Sequence, residues 1–392
     1  MNFLKREKEV FTQYFPNLQS ELLKHNWEEL ESPKSTIIDI YKRNLGAHLI
    51  VPKKYGGKGA SLLDAIRIHR FLGFLSPSLA VIASMHNFTI GMMLDAKMYS
   101  KKHSEIFKNV IDKNFLIASA FSEGKPGNIL KAAMEFIAKD AGYILNGSKK
   151  PCSTAYSMDY ISVGVSRNDE KGDQIERGIA LVPKRLEGIS TKEFWNAKIL
   201  EATESHEVKF DNVYIEADYV WCVEMDADLD TAECAGFIWF ALIVSASYIG
   251  MASYLVSQVL EQKKGIPTER VLLCSYIESA MKNLESVAIE AQAGLSEAAA
   301  ANSILMRFAV QESLKKVIGI CLELLGGIGF IKNPRIAYYY SCASLLPLHP
   351  PPRIGLSDFL DDYLQGSPLR VAHSTLEEKQ EIDRKTLELS RP

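Results

Sequence analysis

The sequence predicts an α+β protein with an N-terminal helical domain, a small central β domain and a C-terminal helical bundle, and three observations carry that expectation. Up to about Lys113, apolar residues recur at three- and four-residue spacing, as in 62–75 and 82–94, the period of helices with one buried face. From Phe115 to about Trp221 the period falls to two, in short runs cut by turn residues, as in half-buried strands. Beyond Thr231 the helical period returns in longer stretches. The expected boundaries are residues 1–114, 115–222 and 223–392.

Each element has a local reason. Val51-Pro52-Lys53-Lys54-Tyr55-Gly56-Gly57-Lys58-Gly59 interrupts the first helical stretch as a loop, and Ser61 followed by Asp64 caps the next helix. In the β region, Tyr143 to Leu145 leads into an Asn146-Gly147 turn. Segments 160–165, 179–182 and 207–210 read as further strands. Residues 234–260 carry no charge, a length able to cross a bilayer, with Lys263-Lys264 beyond. The surrounding chain assigns this stretch instead to the central helix of a bundle, apolar all round. Its small-residue series Ser245, Ser247, Gly250 and Ser253 suits close helix packing. A further helix is expected over Ala288 to Phe308, rich in alanine, and the charged residues 374–392 form a solvated helix or tail.

Bulk properties narrow the function. With 392 residues, 47% of them hydrophobic, the chain has material for two or three domains around a large core. A net charge of −3 with mixed signs excludes a phosphate-tracking surface, so nucleic acid is not an expected partner. The six cysteines are scattered, with no pair at the two-residue spacing of zinc or redox sites. Buried thiols and no metal are expected. Charges occupy the place of a secretory apolar region near the first residues, and a cytoplasmic protein that does not enter the membrane is the expectation.

Four separated signatures, in order, resemble one family. They are the loop at 51–59, Phe210-Asp211-Asn212-Val213-Tyr214-Ile215 at the end of the β region, the turn Gly326-Gly327-Ile328-Gly329-Phe330, and Leu348-His349-Pro350-Pro351-Pro352-Arg353 beyond it. Together they resemble the acyl-CoA dehydrogenase superfamily, which implies that the β domain is a barrel between the two helical domains. The segment from Leu348 to Gly366, ending Tyr363-Leu364-Gln365-Gly366, is more similar to the branch of flavin monooxygenases related to dibenzothiophene monooxygenase.

The resemblance also implies a flavin site. Ala118 to Gly124 matches the stretch beside the flavin ring, with Phe121 and the Ser122 hydroxyl at its polar edge. Asn128, in Gly127-Asn128-Ile129, stands where the family has a pyrophosphate-binding serine. Ser148-Lys149-Lys150-Pro151-Cys152-Ser153-Thr154 is similar to the run that bonds flavin N5, with Ser153 at the bonding position, Thr154 as the neighbour that replaces it, and Pro151 in place of an aromatic. In an unrelated chain such Ser and Thr residues would only satisfy strand ends and turns. Lys263 or Lys264 stands in for an arginine that the family presents to the pyrophosphate of a neighbouring subunit, Gly326 and Gly327 are the cofactor-side glycines, and Glu323 replaces the glutamine before them. Looser flavin binding follows, in FAD form or as reduced FMN or FAD supplied by a partner reductase.

The departures concentrate on the base. The glutamate that removes the substrate proton in the dehydrogenases matches His349, and the alternative position on the first bundle helix matches Phe240, with Ala241 beside it. Proline fixes its own φ and disfavours helix for the residue before it, so His349, followed by three prolines, is held extended. It is read as a general base, as a hydrogen-bond donor that positions substrate for oxygen insertion, or as a loop histidine bonded to backbone. His86 matches a histidine that both branches keep near the flavin, though a histidine on an apolar helix also serves packing. Tyr338-Tyr339-Tyr340 departs from both branches, and domain-boundary packing is its explanation.

A flavin-dependent oxidoreductase is therefore expected, of the monooxygenase type, using reduced flavin and O2 on a small organic substrate. The alternatives are a dehydrogenase of an acyl-CoA or acyl-carrier-protein thioester with an atypical base, and a flavin-free scaffold of the same fold. The resemblance implies a homodimer or homotetramer.

Overall fold

A computed structural model describes residues 2–98, 101–123, 132–168, 174–223 and 229–369. The first helical region runs α1 (Lys5–Tyr14), α2 (Leu18–Leu22), α3 (Trp27–Leu30), α4 (Ile37–Arg43), α5 (Leu62–Leu75), α6 (Pro77–Asp95) and α7 (Lys101–Lys113). The expected cap starts α5, where Asp64 N donates to Ser61 Oγ at 3.1 Å, satisfying one orphan amide of the first turn. Proline at the first position of α6 is preceded by Ser76, whose Oγ accepts from Leu79 N.

The strands are β1 (Ile117–Ala120), β2 (Glu135–Lys139), β3 (Gly142–Cys152), β4 (Tyr160–Asn168), β5 (Gln174–Pro183), β6 (Ile189–Lys192), β7 (His206–Glu216) and β8 (Val220–Cys222). They form one mixed sheet in the order β6-β7-β3-β2-β4-β5-β8, with β1 joined to β4 off that path. β1 and β2 both pair β4 in parallel; the other pairings are antiparallel. The expected Asn146-Gly147 turn is not a turn. β3 runs through it as a bulge against β7, because Asn146 Oδ1 accepts from Asn212 N at 2.8 Å instead of closing a hairpin.

The last region comprises α8 (Thr231–Glu261), α9 (Pro267–Ala293), α10 (Glu297–Lys332), α11 (Pro334–Ala343) and α12 (Arg353–Leu364). The expected single helix over 288–308 is two helices, since the chain turns at Gly294 and Ser296 caps α10 by accepting from Ala299 N. Gly326, at φ 71 and ψ 164, breaks α10 at the expected glycine turn, a conformation that a Cβ disfavours. Two helices, α6 and α8, are long and apolar enough to span a membrane, and nearly all their residues are buried inside the fold.

α8 is the axis of the molecule. A Cβ on Gly250 would lie 2.0 Å from the Arg70 carbonyl oxygen, and one on Gly73 would lie 2.0 Å from that of Ser247. The backbones of α5 and α8 thus touch where the small-residue series falls. Ser247 Oγ also meets Ser84 Oγ at 3.0 Å and His69 Nδ1 at 3.1 Å, so these three polar groups satisfy one another.

The tyrosine run is part of a seam. Tyr338 donates to buried Glu31 at 2.6 Å and accepts from Leu200 N at 3.0 Å, joining the first helices to the β region. Tyr339 donates to Phe74 O at 3.0 Å. Burial raises the pKa of Glu31 although Ser76, Ser78 and Tyr338 all donate to it. Of the cysteines, 152, 234, 321 and 342 are buried as expected, Cys274 is half-buried and Cys222 is exposed.

Candidate functional site

A cavity of about 270 Å³ lies where the sheet, α6, α8 and the loop after α11 meet. One wall is apolar, from Met85, Phe88 and Met92 on α6 and Phe237 and Phe240 on α8. The facing wall carries hydroxyls, from Ser119, Ser122, Ser153, Thr203 and Ser205. An apolar pocket with a few convergent polar groups is the usual form of a cofactor or substrate site.

The topology of β1 places Ser122. The chain leaves β4 after Ala120 and crosses to β3, where Glu123 bridges Lys150 and Lys150 N donates to Ser122 O at 2.9 Å. Lys149, fully buried, fixes the crossing by pairing with Glu123 at 2.5 Å, and Glu123 also accepts from Ala133 N and Met134 N. Burial lowers the Lys149 pKa against the pull of Glu123. Among the described residues the Ser122 hydroxyl has no partner, which leaves it for a ligand.

Ser153 lies at the end of a hydroxyl chain. Its Oγ is 3.0 Å from Ser205 Oγ, which is 2.7 Å from Thr203 Oγ1, and Thr203 donates to Leu200 O. Thr154 is buried behind it with its hydroxyl turned onto Ser153 O at 2.6 Å, and it does not line the cavity. Of the two expected candidates, only Ser153 reaches the cavity. Pro151 lines the cavity in place of an aromatic, and Trp195 brings an indole to it from the loop after β6.

His349 closes the other side. It follows a 3-10 turn with φ −72 and ψ 131, the extended backbone that its prolines demand. Tyr248, fully buried, has its hydroxyl 2.7 Å from His349 Nε2 and no other hydroxyl partner among the described residues; with the phenol as donor, the ring proton sits on Nδ1. Phe240 meets the imidazole edge-on at 6.3 Å between centroids. Arg307, buried on α10, donates to the carbonyls of His349 and Pro351, the latter at 3.2 Å. It has no carboxylate partner among the described residues. Burial, then the Arg307 charge, push the His349 pKa down to about 3, so the ring is neutral near pH 7.

The remaining expected residues fall elsewhere. His86 is buried outside the cavity, with Nε2 donating to Ala47 O at 2.9 Å and Nδ1 accepting from Ile117 N at 3.0 Å. Both nitrogens are used, Nε2 on the 3-10 turn at Ala47 and Nδ1 on β1, so His86 has no ring nitrogen left for a ligand in this arrangement. Phe121 lines the cavity, and Asn128 lies outside the described residues. Lys263 is exposed beyond α8, in a loop whose Gly265 packs against Leu324 close to Gly326 and Gly327. None of these three lines the cavity, so within one chain they do not join Ser122 and Ser153.

Sequence reasoning missed Tyr248, Ser205, Thr203 and a charged pair at the cavity wall. Arg177 Nη2 on β5 donates to Glu233 Oε2 on α8 at 3.1 Å, both residues being buried and lining the cavity. Burial pushes the Glu233 pKa up to about 7, with Arg177 opposing and Asp230 adding to it. Glu233 is the only carboxylate among the lining residues.

No protein-family model matches the chain. It is 38% identical over 351 residues to isobutylamine N-hydroxylase of Streptomyces viridifaciens, spanning 88% of this chain and 93% of that protein. Dibenzothiophene monooxygenase of Rhodococcus erythropolis is 27% identical over 172 residues, 44% of this chain and 41% of that one. XiaF from Streptomyces sp., solved in complex with FADH2 and glycerol, has the same fold, with a TM-score of 0.73 at 16% identity over 93% of this chain and 96% of XiaF. Fold and relatives together define a protein of the acyl-CoA dehydrogenase and flavin monooxygenase superfamily. Within it, the chain belongs to the family of isobutylamine N-hydroxylase.

Proposed function

We propose that this protein is a flavin-dependent monooxygenase that hydroxylates the nitrogen of a small primary amine. The observation that carries this reading is the state of the two positions where the dehydrogenases keep their base. Both face the cavity, one as Phe240 and the other as an imidazole with a pKa near 3. A neutral imidazole that weakly basic does not remove a proton alpha to a thioester. With Nε2 taken by Tyr248, it offers Nδ1–H as a donor to whatever occupies the cavity. Relatedness to isobutylamine N-hydroxylase supports the amine, and the apolar wall of Met85, Phe88, Phe237 and Phe240 suits a short alkyl chain.

The residues present fit a flavin ring. The free Ser122 hydroxyl and the Ser153 chain stand on one wall, where the polar edge of the ring needs hydrogen-bond partners, and Phe121 and Trp195 give flat apolar contact. Bound and reduced, the flavin supplies the electrons that activate dioxygen for transfer of one oxygen atom. The chain's part is to orient the amine beside His349, to exclude water with Met85, Phe88 and Phe240, and to hold protons at His349 Nδ1 and Tyr248. Lys263 and Lys264, with Glu323 near the glycine turn, make a poor phosphate grip, which suits FAD or FMN delivered already reduced by a separate reductase. A neighbouring copy in a dimer or tetramer brings that loop to the cofactor.

Equilibrium dialysis against FAD and FMN, oxidised and anaerobically reduced, tests the cofactor. The expected result is tighter retention of the reduced form by at least about tenfold, or about 1.4 kcal/mol. Failure to retain either redox state would favour a flavin-free scaffold.

A further inference from the structure

An alkylamine in neutral water carries a proton, and nitrogen must lose it before its lone pair attacks oxygen. Four titratable side chains line the cavity: Arg177, Glu233, Tyr248 and His349. Arg177 is a cation. Tyr248 is fully buried, its hydroxyl committed to His349, and His349 is too weak a base to take an ammonium proton.

Glu233 differs from the other three. It sits in the first turn of α8 and is only 7% exposed. Its Oε2 accepts from Arg177 Nη2 at 3.1 Å and, in the capping box, from Asp230 N at 3.4 Å. Oε1 has no partner among the described residues and is not sealed from solvent, so it is the oxygen offered to the cavity. The charges acting on it are Arg177 on β5 and Asp230, the N-cap of its own helix. A carboxylate oxygen left open on an otherwise apolar cavity wall is an acceptor suited to a cationic guest, because the low dielectric strengthens a charge-assisted bond. Phe240 lies two helical turns further along α8, roughly 10 Å at 1.5 Å per residue, so the carboxylate stands at the end of the cavity remote from His349.

We infer that Glu233 receives the substrate's ammonium group through Oε1 and takes its proton. In that step one N–H bond breaks and one O–H bond forms; the neutral amine and a neutral carboxylic acid result, and no electrons change hands. The free amine then leaves the carboxyl for the apolar part of the cavity, where no charge would hold it. This rests on the amine reading above and names the residue that recognises the amine.

The test is isothermal titration of the cofactor-free protein and its Glu233→Gln variant with isobutylamine and with the uncharged isostere isobutanol. Glutamine keeps an acceptor for Arg177 and the capping-box shape, and binding of isobutanol reports that the cavity is intact. The expected result is a loss of amine affinity of at least tenfold in the variant with isobutanol binding unchanged. Equal amine affinity in the two proteins, with the wild type still hydroxylating the amine in the presence of reduced flavin, overturns the role of Glu233 alone. No amine binding and no hydroxylation by the wild type overturns the amine reading together with it.

Discussion

Replacing His349 with alanine is expected to lower kcat/KM for amine hydroxylation about 100-fold, the usual loss when one preorganised donor is removed from a dry site. The variant keeps its fold, because the backbone of the loop is fixed by prolines and by Arg307 rather than by the imidazole. Steady-state kinetics with reduced flavin in excess reads the effect. The ratio of wild-type to His349→Ala rates across pH separates donor from base, because any limb near 7 from Glu233 is common to both proteins and cancels. The wild-type ring charges only below its depressed pKa of about 3, so its contribution is flat from pH 5 upward. A His349 base with an ordinary pKa near 6.5 would instead give a limb that falls as pH drops through that value. Unchanged turnover in the alanine variant would reduce His349 to a loop residue.

Arg307→Met is expected to lower stability by about 2 kcal/mol and to carry most of the His349→Ala kinetic loss without touching the cavity wall. Two charge-assisted bonds to the carbonyls of His349 and Pro351 disappear, each normally worth about 1.5–3 kcal/mol. Part of that loss is offset because a buried guanidinium lacking a carboxylate partner is no longer desolvated. Arg307 also holds the His349 pKa down, so its removal raises that pKa and moves the acid limb upward. A merely structural arginine would change the melting temperature and leave the limb where it was. Lysine does not replace it, because one ammonium cannot serve two carbonyls with the geometry of a planar fork.

How far the sequence carried these conclusions depended on distance along the chain. The periodicity of 62–75 gave α5 residue for residue, and Ser61 capped it as local chemistry requires. Gly250 was legible as a packing residue because helical spacing put it in line with Ser247 and Ser253. The misread places were those where a local signal had a second use. Asn146-Gly147 has the composition of a hairpin turn, but the Asn146 side chain is spent on Asn212 and the pair becomes a bulge. The alanine-rich 288–308 keeps helical propensity through a break that Gly294 and Ser296 impose.

The site was legible only where a motif covered it. Phe121, Ser122, Ser153 and His349 line one cavity, whereas His86 spends both nitrogens on backbone. Tyr248 meets His349 across 101 residues and Arg177 meets Glu233 across 56. No spacing rule pairs such residues. In sequence, Glu233 is an ordinary capping-box glutamate, and its chemistry depends on burial and on the contact with Arg177 of β5, which the sequence does not display.

Whether this cavity oxidises nitrogen or carbon is decided by one assay on the purified full-length protein. Isobutylamine, FAD, NADH, a flavin reductase and air should yield the N-hydroxylamine by mass spectrometry, with oxygen drawn from labelled O2. Under argon, oxidised flavin on the protein should stay yellow when acyl-CoA is added. Bleaching of that flavin with formation of an enoyl thioester, and no oxygenated amine in air, would contradict the account and make the protein a dehydrogenase.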